Sequence, residues 1–157
     1  MQDLSVTQLE EISRRVLRAY WKLPLTQETP WYVDPEMLLT DLLGLKIHYH
    51  HLSDDGMTLG MTSFGDVEIE IPDCESGTMI LLDGKTVLIE RDLLKPNSLI
   101  GRRNFTVAHE GSHHILNMLY PGAYSSGEKA RSVIKYRING NQSAHSREEW
   151  QMDTLAS

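Results

Sequence analysis

Apolar positions recur every three to four residues in the first part of the chain, which is typical of helices. Five apolar residues share one face of a predicted helix over residues 5–22: Leu9, Ile12, Val16, Leu17 and Tyr20. Ser5 or Thr7 is the predicted N-cap of this helix, with Glu10 behind it. Asp34 and Pro35 predict the start of a second helix, because proline is favoured in a first turn, and Gly44 predicts its end.

The pattern changes to strict alternation in the middle of the chain, and this predicts strands. LKIHYHHL (residues 45–52) and DVEIEIP (residues 66–72) both place apolar and polar residues alternately. Asp83 and Gly84 carry the signature of a tight hairpin turn between two apolar strands within residues 78–90. These segments together predict a small β-sheet.

A third helix is predicted from about Asn104 to Leu119, where Pro121 and Gly122 follow. Residues 121–146 are rich in glycine, serine and asparagine and predict a long loop, interrupted by a short segment at SVIKYRI. A last helical piece, SREEWQMDTLAS, ends the chain. The order of elements predicts an α+β fold and a single domain over residues 1–157.

Composition narrows the class of protein. The chain has 157 residues and a net charge of −7, which argues against direct binding to nucleic acid. The N-terminal segment is charged and amphipathic and no apolar run is long enough to span a membrane, so we expect a cytoplasmic protein. Cys74 is the single cysteine, so it can form no internal disulfide. Any metal ligands must therefore be histidine, aspartate or glutamate.

The third predicted helix carries ionisable residues where a buried helix should carry apolar ones. In FTVAHEGSHHILNM, His109 and His113 are four residues apart and therefore project from one face of a helix. Glu110 lies beside the first histidine, where it could take a proton from a water molecule. This H-E-x-x-H pattern is typical of two metal ligands with a general base between them. The alternative is that both histidines are ordinary core or surface residues.

A catalytic zinc site usually takes three protein ligands, so one more is required. A third histidine six residues after His113 is excluded, because that position is Leu119. The last predicted helix supplies Glu149 as the third ligand. Asp153 lies four residues further on, where it could accept the free ring N–H of a ligand histidine.

The remaining histidines and tyrosines are given simpler interpretations. His114 could touch Glu110, but a partly exposed position at the helix flank is favoured. His48, His50 and His51 are interpreted as polar residues of an outer strand face, and a second metal site is rejected. Four residues could stabilise an oxyanion, although each is favoured as an ordinary loop residue: Tyr120, Tyr124, Tyr136 and His145.

NFTVAHEGSHHIL together with EWQMDTLAS resembles the ImmA/IrrE family of metallopeptidases. The family motif reads roughly F-T-x-A-H-E-L-G-H, followed later by E-x-x-A-N/D-x-x-A. Six positions match its first part: Phe105, Thr106, Ala108, His109, Glu110 and His113. Three match its second part: Glu149, Asp153 and Ala156. Gly111 and Ser112 stand in place of Leu-Gly, and Met152 stands in place of alanine.

The resemblance implies a small zincin-like domain, with N-terminal helices, a small sheet, the H-E-x-x-H helix and a C-terminal helix carrying the third ligand. It implies a zinc-dependent endopeptidase that holds one Zn²⁺ per chain through His109, His113 and Glu149, with Glu110 as general base. Family members usually continue into a further apolar stretch, so we expect a domain truncated at its C-terminus. The implied substrate is an intracellular regulatory protein such as a helix-turn-helix repressor.

Two other functions are compatible with the same sequence. A non-catalytic regulatory module would use the same fold, with or without zinc, to bind a repressor or sense a signal. A metal-independent structural domain would bind no metal at all. An intact Glu110 favours the enzyme over the regulatory module, and bound metal would distinguish it from the structural domain.

Overall fold

The described part of the chain contains two layers of β-structure and one layer of helices. The computed structural model describes residues 4–24, 26, 33–72, 77–96, 100–120 and 133–137. Helix α1 spans Val6–Tyr20, α2 spans Pro35–Met37 and continues as a π-helical turn at Leu38–Leu42, and α3 spans Ile100–Leu119. The α+β class is confirmed.

Helix α1 is held at its start by a reciprocal cap and along its length by apolar packing. The Ser5 side chain accepts from the backbone N–H of Gln8, and the Gln8 side chain accepts from the backbone N–H of Ser5. The predicted cap at Ser5 is therefore confirmed, although its partner is Gln8. Leu9 and Ile12 pack against the far end of α3. Leu17 was predicted on this apolar face but is 38% exposed.

Among the described residues, four strands form the main sheet, in the order β1-β5-β2-β6. Their bounds are Lys46–His50 for β1, Thr58–Thr62 for β2, Thr86–Glu90 for β5 and Ile134–Arg137 for β6. Strand β5 pairs with β1 in parallel, and β2 pairs antiparallel with both β5 and β6. Strand β2 was not predicted from the alternation pattern.

The remaining two strands form a separate antiparallel ribbon. Strands β3 (Asp66–Ile71) and β4 (Thr78–Asp83) pair with each other, and neither pairs with a described strand of the main sheet. The predicted hairpin between residues 78–83 and 86–90 is therefore wrong. Gly84, at φ +82°, makes a sharp turn there, but the turn takes the chain from the ribbon into the main sheet.

Strand β5 lies between two apolar layers, which explains its continuous run of buried residues. Val87 and Ile89 face the helices and pack in one cluster with Val107 of α3. Leu88 faces the opposite way and packs with Leu82 of the ribbon and Met61 of β2. A strand covered on both faces is favoured at the centre of a sheet. Helix α3 thus lies over one face of the main sheet.

Within the described ranges, no helix combines the length and the apolar character needed to cross a membrane.

Candidate metal centre

The predicted ligand helix is buried in the interior of the protein. The side chains of His109 and Glu110 are 0% exposed, and those of His113 and His114 are 1% and 3% exposed. Ionisable groups are rarely buried to this extent unless they have partners. The predicted burial of His109, Glu110 and His113 in a helix is confirmed.

His109 and His113 lie side by side on one face of α3, as their spacing predicts. Their ring centroids are 5.1 Å apart and the ring planes meet at 75°. Burial, followed by the neighbouring His109 and His114, lowers the pKa of His113 well below its ordinary value. His113 is therefore neutral at physiological pH, and the neutral imidazole is the form that binds a metal ion.

Glu110 packs directly against the backbone of β2 at Gly60. A Cβ atom added at Gly60 would lie 2.9 Å from Cδ and 3.0 Å from Cγ of Glu110, and closer still to Oε1. Carbon atoms normally approach no closer than about 3.5 Å. Gly60 therefore provides the space that the Glu110 carboxylate occupies, and β2 forms one wall of the site.

Gly111 serves the same purpose on another side of α3. A Cβ atom there would lie 2.5 Å from Cδ1 and 3.2 Å from Cγ of Leu39, which is fully buried in the π-helical turn. Glycine inside a helix is normally unfavourable. Here it allows the π-helical turn to lie against the helix that carries the histidines.

His114 is anchored to the main sheet. Its Nε2 lies 2.7 Å from Oγ1 of Thr62, and that hydroxyl also lies 3.1 Å from the carbonyl oxygen of Thr86. The hydroxyl has one proton, which it donates to the carbonyl, so Nε2–H of His114 donates to the hydroxyl. Burial lowers the pKa of His114 to about 4. The interpretation of His114 as a partly exposed flank residue is wrong.

Tyr136 of β6 stacks on the ring of His109. The two ring centroids are 4.3 Å apart and the planes differ by 26°. Phe105, one helical turn before His109, lies 6.3 Å from both rings. The interpretation of Tyr136 as an ordinary loop residue is wrong, since it lies in a strand at the predicted site. Alternation within IKYR is the signal that could have placed it in a strand.

The structure brings together His109, Glu110 and His113, but it does not test the other predicted site residues. Glu149 and Asp153 lie outside the described residues, as do Tyr124, His145 and Cys74. Tyr120 follows α3 and packs against the cluster formed by α1 and the end of α3. The predicted third ligand thus stays a prediction.

A second group of side chains could hold a metal ion. One donor atom from each of His51, Glu90 and Asp92 lies within 4.8 Å of the other two. These residues also have structural partners: Glu90 accepts from the backbone N–H groups of Leu52 and Asp92, and Lys95 lies 3.0 Å from Asp92. His51 lies 3.1 Å from the same carboxylate of Glu90.

Sequence reasoning did not find this cluster, and it rejected a second metal site at His48, His50 and His51. His48 and His50 share a strand face, as predicted, and their rings stack 6.4 Å apart. His51 follows the strand and turns toward the buried carboxylate of Glu90 at the end of β5. The pairing of β1 with β5 in parallel brings the two strand ends together.

A cavity of about 470 Å³ lies along α3 on its side toward α1 and α2. Phe105, Ala108 and Ser112 contribute the α3 side of its lining, and Val16 and Leu38 lie opposite. His109, Glu110 and His113 are not part of this lining. The cavity is therefore separate from the histidine pair.

No protein-family model, no curated protein and no solved structure matches this chain.

Proposed function

We propose that the chain is a zinc-dependent endopeptidase with its active centre on α3. The observation that carries this proposal is the buried H-E-x-x-H group: two imidazoles one helical turn apart, with Glu110 next to the first. Similarity of its motif to the ImmA/IrrE family supports the same activity and a zincin-like fold. Neither the buried motif nor the family resemblance involves the separate cluster of His51, Glu90 and Asp92.

The two described ligand candidates, His109 and His113, have the chemistry that a zinc ion requires, and Glu149 is proposed as the third donor. His113 is neutral because its pKa is lowered, so a nitrogen lone pair is free of a proton. Two imidazoles and a carboxylate form a common donor set for catalytic zinc. By resemblance to the family, His109, His113 and Glu149 are the ligands. Asp153, four residues after Glu149, accepts a ring N–H from one of the histidines. Zinc is chosen over other transition metals by donor type and by this resemblance.

Glu110 performs the proton transfers of peptide hydrolysis. A zinc ion bound by the histidines would supply Lewis-acid activation of water and of the scissile carbonyl group. Glu110 takes a proton from the attacking water as the new C–O bond forms at the carbonyl carbon. It then delivers that proton to the amide nitrogen as the C–N bond breaks. Contact with Gly60 keeps the Glu110 side chain in place through both transfers.

The proposed substrate is a cytoplasmic regulatory protein such as a helix-turn-helix repressor. This part rests on the family resemblance. The net charge of −7 supports a protein substrate over direct binding to nucleic acid.

The experiment compares Glu110→Gln with the wild type and with Glu68→Gln, an exposed glutamate on β3. Hydrolysis of a mixture of quenched fluorescent peptides and the zinc content are both measured. Loss of a general base lowers turnover by about 10²–10⁴-fold. We expect that loss in Glu110→Gln, with zinc retained, and no change in Glu68→Gln. Equal hydrolysis by all three proteins would contradict the proposal.

A non-catalytic metal-binding module is the second candidate. The observation that favours it is the near-complete burial of His109, Glu110 and His113, away from the cavity along α1. In that case Glu110→Gln would leave both zinc binding and binding of a repressor unchanged, and the wild type would cleave no peptide.

A further inference from the structure

The pairing of β2 with β6 determines which face of the main sheet Tyr136 points to. Gly60 is directly opposite Tyr136, and Thr62 is directly opposite Ile134. Residues opposite each other in a ladder point to the same face of the sheet. Gly60 contacts Glu110 and Thr62 contacts His114, so this face is the one toward α3. Tyr136 therefore points toward α3 as well.

The absence of a side chain at Gly60 has a second effect beside the space for Glu110. The position next to Tyr136 on β2 carries no side chain on this face, so the tyrosine ring can lie over α3. The ring stacks on His109 with the centroids 4.3 Å apart.

The imidazole of His109 is consequently bounded on two sides. Tyr136 lies against its face, and His113 meets it at 75° from another direction. The direction of the ring sets the direction of its nitrogen lone pair. In most metal sites a hydrogen-bonded neighbour fixes this direction. The ring of Tyr136, which belongs to a different element, is placed to restrict this direction as well.

We propose that Tyr136 is a positioning residue for His109, acting through the stack of its ring. This inference rests on the proposed function, since it needs His109 to be a metal ligand. It predicts that β6, which carries no proposed metal ligand, influences metal affinity.

The test uses three variants: Tyr136→Phe, which keeps the stack, Tyr136→Leu, which removes it, and Tyr120→Leu as a control outside the site. Zinc affinity is measured by competition with a chelator. In metal-free protein, the NMR chemical shifts of the His109 imidazole protons report the ring current of the stacked tyrosine. The signals of His109 are assigned as those that disappear from the spectrum of His109→Gln.

An aromatic pair is worth enough to change affinity by about 3- to 10-fold. We expect Tyr136→Leu to lose zinc affinity by that factor and to lose the ring-current shift. Tyr136→Phe should stay within about twofold of the wild type, and so should Tyr120→Leu.

Two results would overturn the positioning role while leaving the peptidase proposal intact. One is wild-type zinc affinity in Tyr136→Leu. The other is an equal loss in Tyr136→Phe and Tyr136→Leu, which would assign the effect to the hydroxyl group. A wild-type protein that shows the ring-current shift but binds no zinc would contradict both proposals, and the stack would then be packing alone.

Discussion

Gly60→Ala should disable the site without touching any predicted ligand. The added Cβ atom would lie 2.9 Å from Cδ and 3.0 Å from Cγ of Glu110. An unstrained carbon contact is about 3.5–4.0 Å, so the Glu110 side chain must move by about 0.5–1 Å. Glu110 is 0% exposed, so it must move within a packed interior.

This displacement has two measurable consequences. Overpacking of a core costs about 1–3 kcal/mol, so the free energy of unfolding in urea should fall by that amount. A reacting group misplaced by about 1 Å can cost roughly 10²-fold in rate, so turnover should fall by about that factor. Zinc content should stay at the wild-type level, since the three atoms nearest the added Cβ all belong to Glu110.

A double-mutant cycle separates the clash from any general weakness of alanine in β2. Glu110→Ala removes the group that the new methyl would meet, so adding Gly60→Ala to it should cost much less stability than in the wild type. Additive effects of the two substitutions would refute the reasoning. So would a Gly60→Ala protein with wild-type stability and turnover.

Two further predictions concern stability. Gly111→Ala should lower the free energy of unfolding by about 1–3 kcal/mol, because its methyl group meets the buried Leu39. Gly101→Ala in the same helix has nothing within 4 Å of its methyl group and should raise the free energy of unfolding by about 0.5–1 kcal/mol. Urea unfolding of both variants measures these changes. Hydrogen bonds from the following turn lower the pKa of Asp83 from 3.8 to about 2, so its stabilisation is complete above about pH 4 and is lost as the pH falls through about 2. Because the Asp83 side chain is 38% exposed, Asp83→Asn should lower the free energy of unfolding by only about 1 kcal/mol at pH 7, and by almost nothing near pH 2. A loss that does not depend on pH would contradict the lowered pKa of Asp83.

Local sequence signals predicted the features that depend on neighbouring residues. The four-residue spacing of His109 and His113 was enough to place both rings on one helix face. Alternation was enough to predict β1 and β3, and the cap at Ser5 followed from residue type. In each case the signal can be read within a few residues of the chain, even where, as for β1, the stabilising partner is a distant strand.

Features that depend on pairing between distant segments were missed. Asp83 and Gly84 correctly marked a turn, but a turn signature does not say which strands pair on either side of it. The unbroken apolar run in β5 was the available signal for a central strand covered on both faces. Strand β2 was missed because Gly60 interrupts its apolar pattern, for a reason that lies in Glu110 of another element.

The surroundings of the candidate site were also missed because they depend on pairing between separate segments. Tyr136 reaches His109 only because β6 pairs with β2 over α3, so its role could not be seen from loop composition. His114 was placed at a flank because helix faces are usually mixed. Its hydrogen bond to Thr62 depends on the same sheet position. Gly111 is unfavourable for helix propensity alone, but its close approach to Leu39 explains it.

The metal content of the protein tests most directly the claim that His109 and His113 bind zinc. It is measured by elemental mass spectrometry on protein purified without added metal or a histidine tag. The comparison includes His109→Ala, in the proposed centre, and His51→Ala, in the second cluster that could hold an ion. We predict near-stoichiometric zinc in the wild type and in His51→Ala, and its loss in His109→Ala. Zinc that is lost in His51→Ala but retained in His109→Ala, or no metal even after zinc is supplied, would contradict the account.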